Sequence, residues 1–527
     1  MKRYSNQIFF FCVLLIFNIA CKTDNSSTTN IPTNEVKDDR KEARSNPQTI
    51  EPSGGEGSPN IIVFMVDDMG WQDSSIPFGQ QKKAVTYKNK TPNLEKLASE
   101  GILFLEAYGY PEGASSRISF MTGMNASQHG VTNKITNDPK KVLSNNSNSN
   151  LRFPMWNANG LTPDSTITQA VYATPIPFLL RYYGYQTIHV GKANFGAEGT
   201  PGADPKRMGF NVNIGGSFTE TAKSYLGSEN FGNTNTDVTI PGLEKYYGKD
   251  ISLPDALTLE ALSQLDEATK DDKPFFLNLA HYAAKDASMM ANIDKSLGDV
   301  LSYLDKKGIA QKTVIIFVSD NGGVSTISGD KILKGSRGSI YEGGIRVPLI
   351  VKWPGVTRSN TTNQNYVIME DLYPTIANIA GKNTQNVVQR IDGKSFVKFL
   401  QTRSTSNQQV RPLYWHNPMD SKEAGYGGKA HTAVRQGDYK LIYFHESQKR
   451  ELYHLRRNME EQHDLSSRLP EQVNDLSILL IGHLKFTKAP LPVLKETGKS
   501  IPLPKVIFKD KQRERQPNRD RKMMRKK

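Results

Sequence analysis

Two apolar runs in this chain each stop on a pair of oxygen-bearing residues. Asn60-Ile-Ile-Val-Phe-Met-Val66 leads into Asp67-Asp68, and Thr313-Val-Ile-Ile-Phe-Val-Ser319 leads into Asp320-Asn321. If both runs deliver to one place, three carboxylates and an amide oxygen converge there. Such a set contains hard ligands only, with no Cys or His, and suits Ca²⁺, or less readily Mg²⁺. Clustered carboxylates without a cation would be costly to bury.

The elements that must position these groups are legible in the same stretches. A continuous apolar run, bounded in the first case by Pro59 and Gly70, reads as a strand buried on both faces of a parallel sheet. Ligands of open α/β sheets gather at the carboxyl edge, where the acids would sit. Thr91 to Gly101 predicts a helix ended by glycine, leading to a strand at Ile102-Leu-Phe-Leu105 and completing a βαβ unit. Met290, Ile293, Leu297, Val300, Leu301 and Leu304 form a helical apolar stripe, which is core. Beyond residue 400, Thr432–Arg435, the turn Gly437-Asp438 and Tyr439–Phe444 read as a hairpin, with Glu451–Tyr453 a third strand. A helical segment at Glu471–Leu484 would cover that sheet.

The wording of the two acidic stretches resembles the metal-binding motifs of the sulfatase family. Further matches follow in family order: Gly184-Tyr-Gln-Thr-Ile-His-Val-Gly191-Lys192, Tyr341-Glu-Gly-Gly-Ile-Arg-Val-Pro348, Trp353-Pro-Gly355 and Asp371-Leu-Tyr-Pro-Thr375. The resemblance runs from about Pro59 to about Ser466. It implies an α/β fold of the alkaline-phosphatase-like kind: a large, mixed, mostly parallel sheet flanked by helices, then a small C-terminal antiparallel sheet with a helix. It also implies Ca²⁺ held by Asp67, Asp68, Asp320 and Asn321, and sulfuric ester hydrolysis.

The catalytic positions implied by the resemblance depart from the family pattern. Family members carry Cys or Ser in Cys/Ser-x-Pro-Ser-Arg, oxidised to a formylglycine whose hydrate attacks sulfur. Here Pro111-Glu-Gly113-Ala-Ser115-Ser116-Arg117, followed by Thr122-Gly123, places Gly113 at that position, so no formylglycine is expected. Asn194 and Lys285 stand where the family has histidines, and Arg337 stands where it has a sulfate-binding Lys; Lys192 matches. His281 falls at a variable position and reads as structural. Asn194 cannot shuttle a proton near neutral pH, and Lys285 is a poor general acid.

Two readings follow. In the first, the protein is a pseudo-sulfatase in which Ca²⁺, Arg117, Lys192, Lys285 and Arg337 grip a sulfated or otherwise anionic glycan or ester. In the alternative, it is a working sulfuric or phosphate ester hydrolase using metal-bound water, or Ser115 or Ser116, as nucleophile. The second needs a base near Gly113, and the first is favoured because both histidines are replaced. Ser115 and Ser116 are read as caps of a helix that starts near Arg117.

The chain ends carry their own signals. Residues 1–21 form a basic start, an apolar run from Ile8 to Ala20 and Cys21, as in the signal peptide of an exported lipoprotein lipidated at Cys21 and anchored to a membrane. The remaining Cys, Cys12, lies in that apolar run, so the mature domain has no thiol for disulfide, redox or thiolate chemistry. Residues 22–58 are polar and read as a disordered tether. The expected layout is then an α/β domain at 59–400, a small α+β subdomain at 401–505 and a basic tail at 506–527. Between Lys509 and Lys527 lie ten Lys or Arg against three Asp or Glu, which is half of the chain's net +14. Basicity is therefore largely a tail property. An exported chain without aromatics among those charges is not expected to bind nucleic acid; a solvated disordered tail fits better, with electrostatic contact to sulfated glycan or other anionic surface polymer as the alternative.

Overall fold

The computed structural model describes residues 57–78, 89–145, 148, 150–271, 273–284, 286–324, 332–402, 410–421, 425 and 427–507. Cys21, Lys285, most of the tether and the tail from residue 508 lie outside them. Two ends expected to be unstructured are tied down where they are described. Ser58 donates its hydroxyl to the Ala380 carbonyl, and the Ile507 backbone exchanges hydrogen bonds with the Asn474 side chain.

The first acid-bearing run is strand β1 (Asn60–Val66), followed by helix α1 (Pro92–Glu100), β2 (Ile102–Tyr108) and helix α2 (Gly113–Thr122). Then come β3 (Gln186–Gly191), β4 (Val212–Ile214), α3 (Leu253–Ala268), β5 (Phe275–His281), α4 (Ala287–Lys306), β6 (Thr313–Ser319), β7 (Arg346–Lys352), β8 (Thr361–Asn363) and β9 (Val367–Ile368). The strands form a nine-stranded sheet among the described residues, in the order β8-β2-β7-β6-β1-β5-β3-β4, with β9 also on β2. Strands β6, β1, β5, β3 and β4 are mutually parallel, while β7 runs antiparallel between β6 and β2.

Both acid-bearing strands are central, and alternate residues feed two cores. Ile61, Val63 and Met65 enter one apolar cluster with Val314, Ile316 and Val318; Ile62, Phe64 and Val66 enter another with Ile315 and Phe317. Each side chain so buried contributes about 1.5–3 kcal/mol, so strand position is over-determined. The α4 stripe joins the second cluster. The βαβ unit forms as read, with β2 parallel to β1 in one sheet, but the two strands are not neighbours: β2 lies three places along, with β6 and β7 between them. A local helix-to-strand signal says nothing about which strand the returning one will pair with.

The small sheet is antiparallel, β10 (Leu413–Asn417), β11 (His431–Gln436), β12 (Tyr439–Phe444) and β13 (Arg450–His454), covered by α5 (Pro470–Thr487). Strand β10 was not anticipated. It meets the large sheet's edge, where Trp415 donates its ring N–H to the Gly109 carbonyl at 2.9 Å.

Beside that contact, Asn125 links the Tyr414 carbonyl to the buried carboxylate of Glu370, which also accepts from the Tyr110 hydroxyl at 2.9 Å. Burial, and then the neighbouring Asp371 charge, push Glu370 from 4.5 up to about 8. The folded state therefore holds a proton that the unfolded chain has lost, so this contribution is complete below about pH 4.5 and disappears as pH rises to about 8. Glu370→Gln keeps the hydrogen-bonding shape without the charge. Thermal melts across that window should show a flatter pH profile for the variant; parallel profiles would refute the assignment.

Candidate metal centre

Register brings the two acidic pairs together. Val66 lies opposite Ser319 in the parallel β1–β6 ladder, so the next residues, Asp67 and Asp320, leave the sheet side by side. Asp68 then takes a left-handed conformation (φ 57°), uncommon for a side-chain-bearing residue, and its N–H donates to Asp320 Oδ1 at 3.1 Å. On the other flank, Gly191 ends β3 with φ 99°, and a Cβ there would fall 1.9 Å from the Ala280 carbonyl oxygen. Only glycine lets the chain turn at that point and present Lys192 to Asp67.

The resulting cluster is almost wholly buried: Asp320, Asn321 and Arg117 are fully covered, and Asp67, Lys192 and Asp68 nearly so. Lys192 Nζ reaches both Asp67 oxygens, at 2.7 and 2.8 Å. Arg117 bridges the two strands, with Nε donating to Asp320 Oδ2 at 2.8 Å and Nη2 to Asp67 Oδ1 at 3.4 Å. Its Nη1 donates to the Lys192 carbonyl. Asn321 Nδ2 donates to Asp68 Oδ1 at 2.7 Å, and Arg337 Nη1 to Asp68 Oδ2 at 3.0 Å.

Electrostatics divide the acids. Burial alone would raise Asp67, but Lys192 and then Arg117 outweigh it and hold that carboxyl well below the usual range. Asp68 and Asp320 go the other way, raised chiefly by burial, with Asp67's charge adding to it and the nearby cations compensating only in part. Two under-compensated acids beside a firmly ionised one create a demand for positive charge.

These residues fit a metal ion. One oxygen from each of Asp67, Asp68 and Asp320 can be chosen so that all lie within 4.8 Å of one another. Oxygens around a cation at about 2.3–2.6 Å span such separations. Asn321 Oδ1, in addition, is a buried acceptor with no hydrogen-bond partner, an arrangement that calls for a ligand.

Helix α2 starts at the same cluster. Its first residue is Gly113, where a Cβ would lie 2.7 Å from Asp320 Oδ2 and 2.9 Å from Asn321 Oδ1. Any side chain at 113 would therefore touch the candidate ligands. This start also corrects the reading of Ser115 and Ser116 as caps, since the N-cap position is Glu112 and both serines lie inside the first turn. The Ser115 hydroxyl donates to the Val131 carbonyl and that of Ser116 accepts from the Tyr110 N–H; both side chains are buried.

Asn194 is left-handed and buried, and its Oδ1 has no hydrogen-bond partner. His281 is fully buried against Ser296. Burial lowers it to about 3, consistent with a structural role. Arg337, expected as an anion grip, also carries Glu220 on Nη2, a residue that no sequence signal marked. Tyr225 was likewise missed. It lies close enough to Asp67 and Asp68 that, after burial, their charges further raise its phenol. Above Arg337 opens a cleft of about 690 Å³, with Glu112, Lys134, Lys141 and Glu220 in its walls.

The chain matches the Sulfatase family model over residues 59–284 and 278–382, and the model for the C-terminal part of N-sulphoglucosamine sulphohydrolase over 336–481. It is 27% identical to a protein of Formosa agariphila described as a sulfatase, with 85% of this chain and 92% of that one covered. Against mouse (Mus musculus) N-acetylgalactosamine-6-sulfatase the identity is 26%, covering 74% and 72%. Among solved structures, Ps i-CgsB in complex with k-i-k-neocarrahexaose superposes with a TM-score of 0.62 at 24% identity, covering 82% of this chain and 93% of that one. A complex with D-glucosamine-2-N,6-O-disulfate superposes at 0.59 and 19%, covering 82% and 98%.

Proposed function

The chain belongs to the sulfatase family, and from that premise we propose that it binds a sulfated or otherwise anionic glycan or ester in a calcium-dependent way without the family's formylglycine chemistry. The observation that carries this reading is Gly113. The position whose side chain would touch Asp320 and Asn321 has no side chain, so it can supply neither a hydroxyl nor an aldehyde.

Asp67, Asp68, Asp320 and Asn321 would hold the ion, which when bound supplies positive charge to an anionic ligand and polarises its oxygens. The chain's own groups do the rest. Arg117 and Lys192 keep the carboxylates in place, and Arg337, which lines the cleft while paired with Asp68 and Glu220, is the cation nearest the cluster for a ligand's charged group. The Asn194 amide, whose Oδ1 is unpaired, offers a ligand hydrogen bonds but cannot shuttle a proton near neutral pH. A serine-based hydrolysis is disfavoured because both candidate hydroxyls are buried and engaged by backbone groups. Sulfated glycans are favoured as the ligand class because one structural neighbour holds D-glucosamine-2-N,6-O-disulfate and one relative is an N-acetylgalactosamine-6-sulfatase.

The test compares the parent with a variant carrying Asp67→Ala and Asp68→Ala. Supplied with Ca²⁺, both should hydrolyse aryl sulfates, sulfated sugars and aryl phosphates at the same background rate, while the parent alone binds a sulfated oligosaccharide. Turnover by the parent that is lost in the double variant would overturn the reading. Gly113→Cys in a formylglycine-forming host should restore little, since Asn194→His and Lys285→His are needed as well.

A further inference from the structure

We propose that Glu220 is an internal competitor for the anionic ligand: its carboxylate occupies Arg337, and ligand binding requires Glu220 to swing away. This rests on the reading of Arg337 as part of the anion site.

Arg337 uses Nη1 on Asp68 and Nη2 on Glu220, so the guanidinium edge that would grip an oxyanion is already engaged by an acid. The two partners differ in kind. Asp68 is 6% exposed and belongs to the metal cluster, whereas Glu220 is 39% exposed and lines the cleft, with solvent to move into. Its position is held by its own segment. The Ser217 carbonyl accepts from the Asn194 N–H at 3.0 Å, and the Tyr225 hydroxyl donates to the Ala283 carbonyl at 2.9 Å, so both ends of the stretch are anchored beside the cluster.

With Arg337 25% and Glu220 39% exposed, the pair is partly screened by solvent, and a ligand that gains contacts with the remaining cluster can displace it. The consequence is selectivity. An anion that reaches Arg337 alone does not recover the loss of the Glu220 contact, while a sulfate ester whose oxygens also reach the rest of the cluster does.

Inorganic sulfate, titrated calorimetrically in the presence of Ca²⁺ at low ionic strength, tests this directly. Glu220→Gln keeps the shape and removes the charge, and should tighten sulfate binding about fivefold, the scale expected for one partly exposed ion pair. In an Arg337→Ala background the same change should have no effect, and added salt should shrink the gain. Unchanged or weaker binding by Glu220→Gln with an unaltered melting temperature overturns the competitor role while leaving the anion site intact. An equal gain in both backgrounds overturns it too, since the effect would then be one of general charge. Failure of parent and variants alike to bind sulfate would overturn both this proposal and the anion site it rests on.

Discussion

Arg117→Met is expected to be the most damaging single change at the centre, lowering stability by about 3–5 kcal/mol in chelator-treated protein, the usual cost of breaking a buried ion pair from one side. The reason is specific to Asp320. Asp67 keeps Lys192 on both oxygens when the guanidinium is removed, whereas Asp320 loses the cation that contacts it and keeps the Asp68 N–H. A fully buried acid would then be left without a cation in contact, with the more distant charge of Lys192 alone to compensate it. Urea unfolding should show the midpoint falling with little change in slope. Added Ca²⁺ should recover part of the loss, because it offers Asp320 the charge that Arg117 supplied. A variant within about 1 kcal/mol of the parent would mean that Asp320 is folded as the neutral acid and that the bridge contributes little.

The second large effect is the metal's own contribution to stability. A folded state that assembles Asp67, Asp68, Asp320 and Asn321, set against an unfolded chain that scatters them, is stabilised by about 4 kcal/mol when Ca²⁺ stands at a thousand times its dissociation constant. Chelation should therefore lower the parent's melting temperature by several degrees, and Mg²⁺ should restore less of it than Ca²⁺. Asn321→Ala is the sharper probe. It removes the unpartnered acceptor of the candidate ligand set and leaves the Asp320–Arg117 bridge in place. Its melting temperature should hardly respond to Ca²⁺. A parent insensitive to chelation would show that Lys192, Arg117 and Arg337 satisfy the acids by themselves.

Much of this molecule is written locally. The runs ending in Asp67-Asp68 and Asp320-Asn321 are short, β-branched and apolar without alternation, as suits a strand covered on both faces, and both proved to be central strands feeding two cores. The helix from Met290 to Leu304 and the hairpin around Gly437 are periodic patterns closed within a dozen or so residues, and they appear where the patterns placed them. Gly113, too, was identifiable in sequence, since its neighbours Pro111 and Arg117 anchor the register.

Other features depend on partners far away in the chain. A strand buried on both faces looks the same whichever strands flank it, so the order that inserts β6 and β7 between β1 and β2 could not be read from β1 or β2. Strand β10 is short and gains its stability from β11 and from Gly109, some three hundred residues earlier. Ser115 and Ser116 match capping chemistry, yet the helix starts earlier because Gly113 and Ala114 continue it toward the cluster. The competition at Arg337 is the clearest case. Nothing in the composition of residues 217–225 marks Glu220; only the fold, by anchoring Ser217 and Tyr225 beside the metal cluster, sets a carboxylate on the cation that an anionic ligand would need. Sequence determined which residues could bind a cation and that position 113 carries no side chain, because those are properties of residue types. Tertiary structure decided which charges face one another, because buried charges interact strongly only at contact distance and in low dielectric.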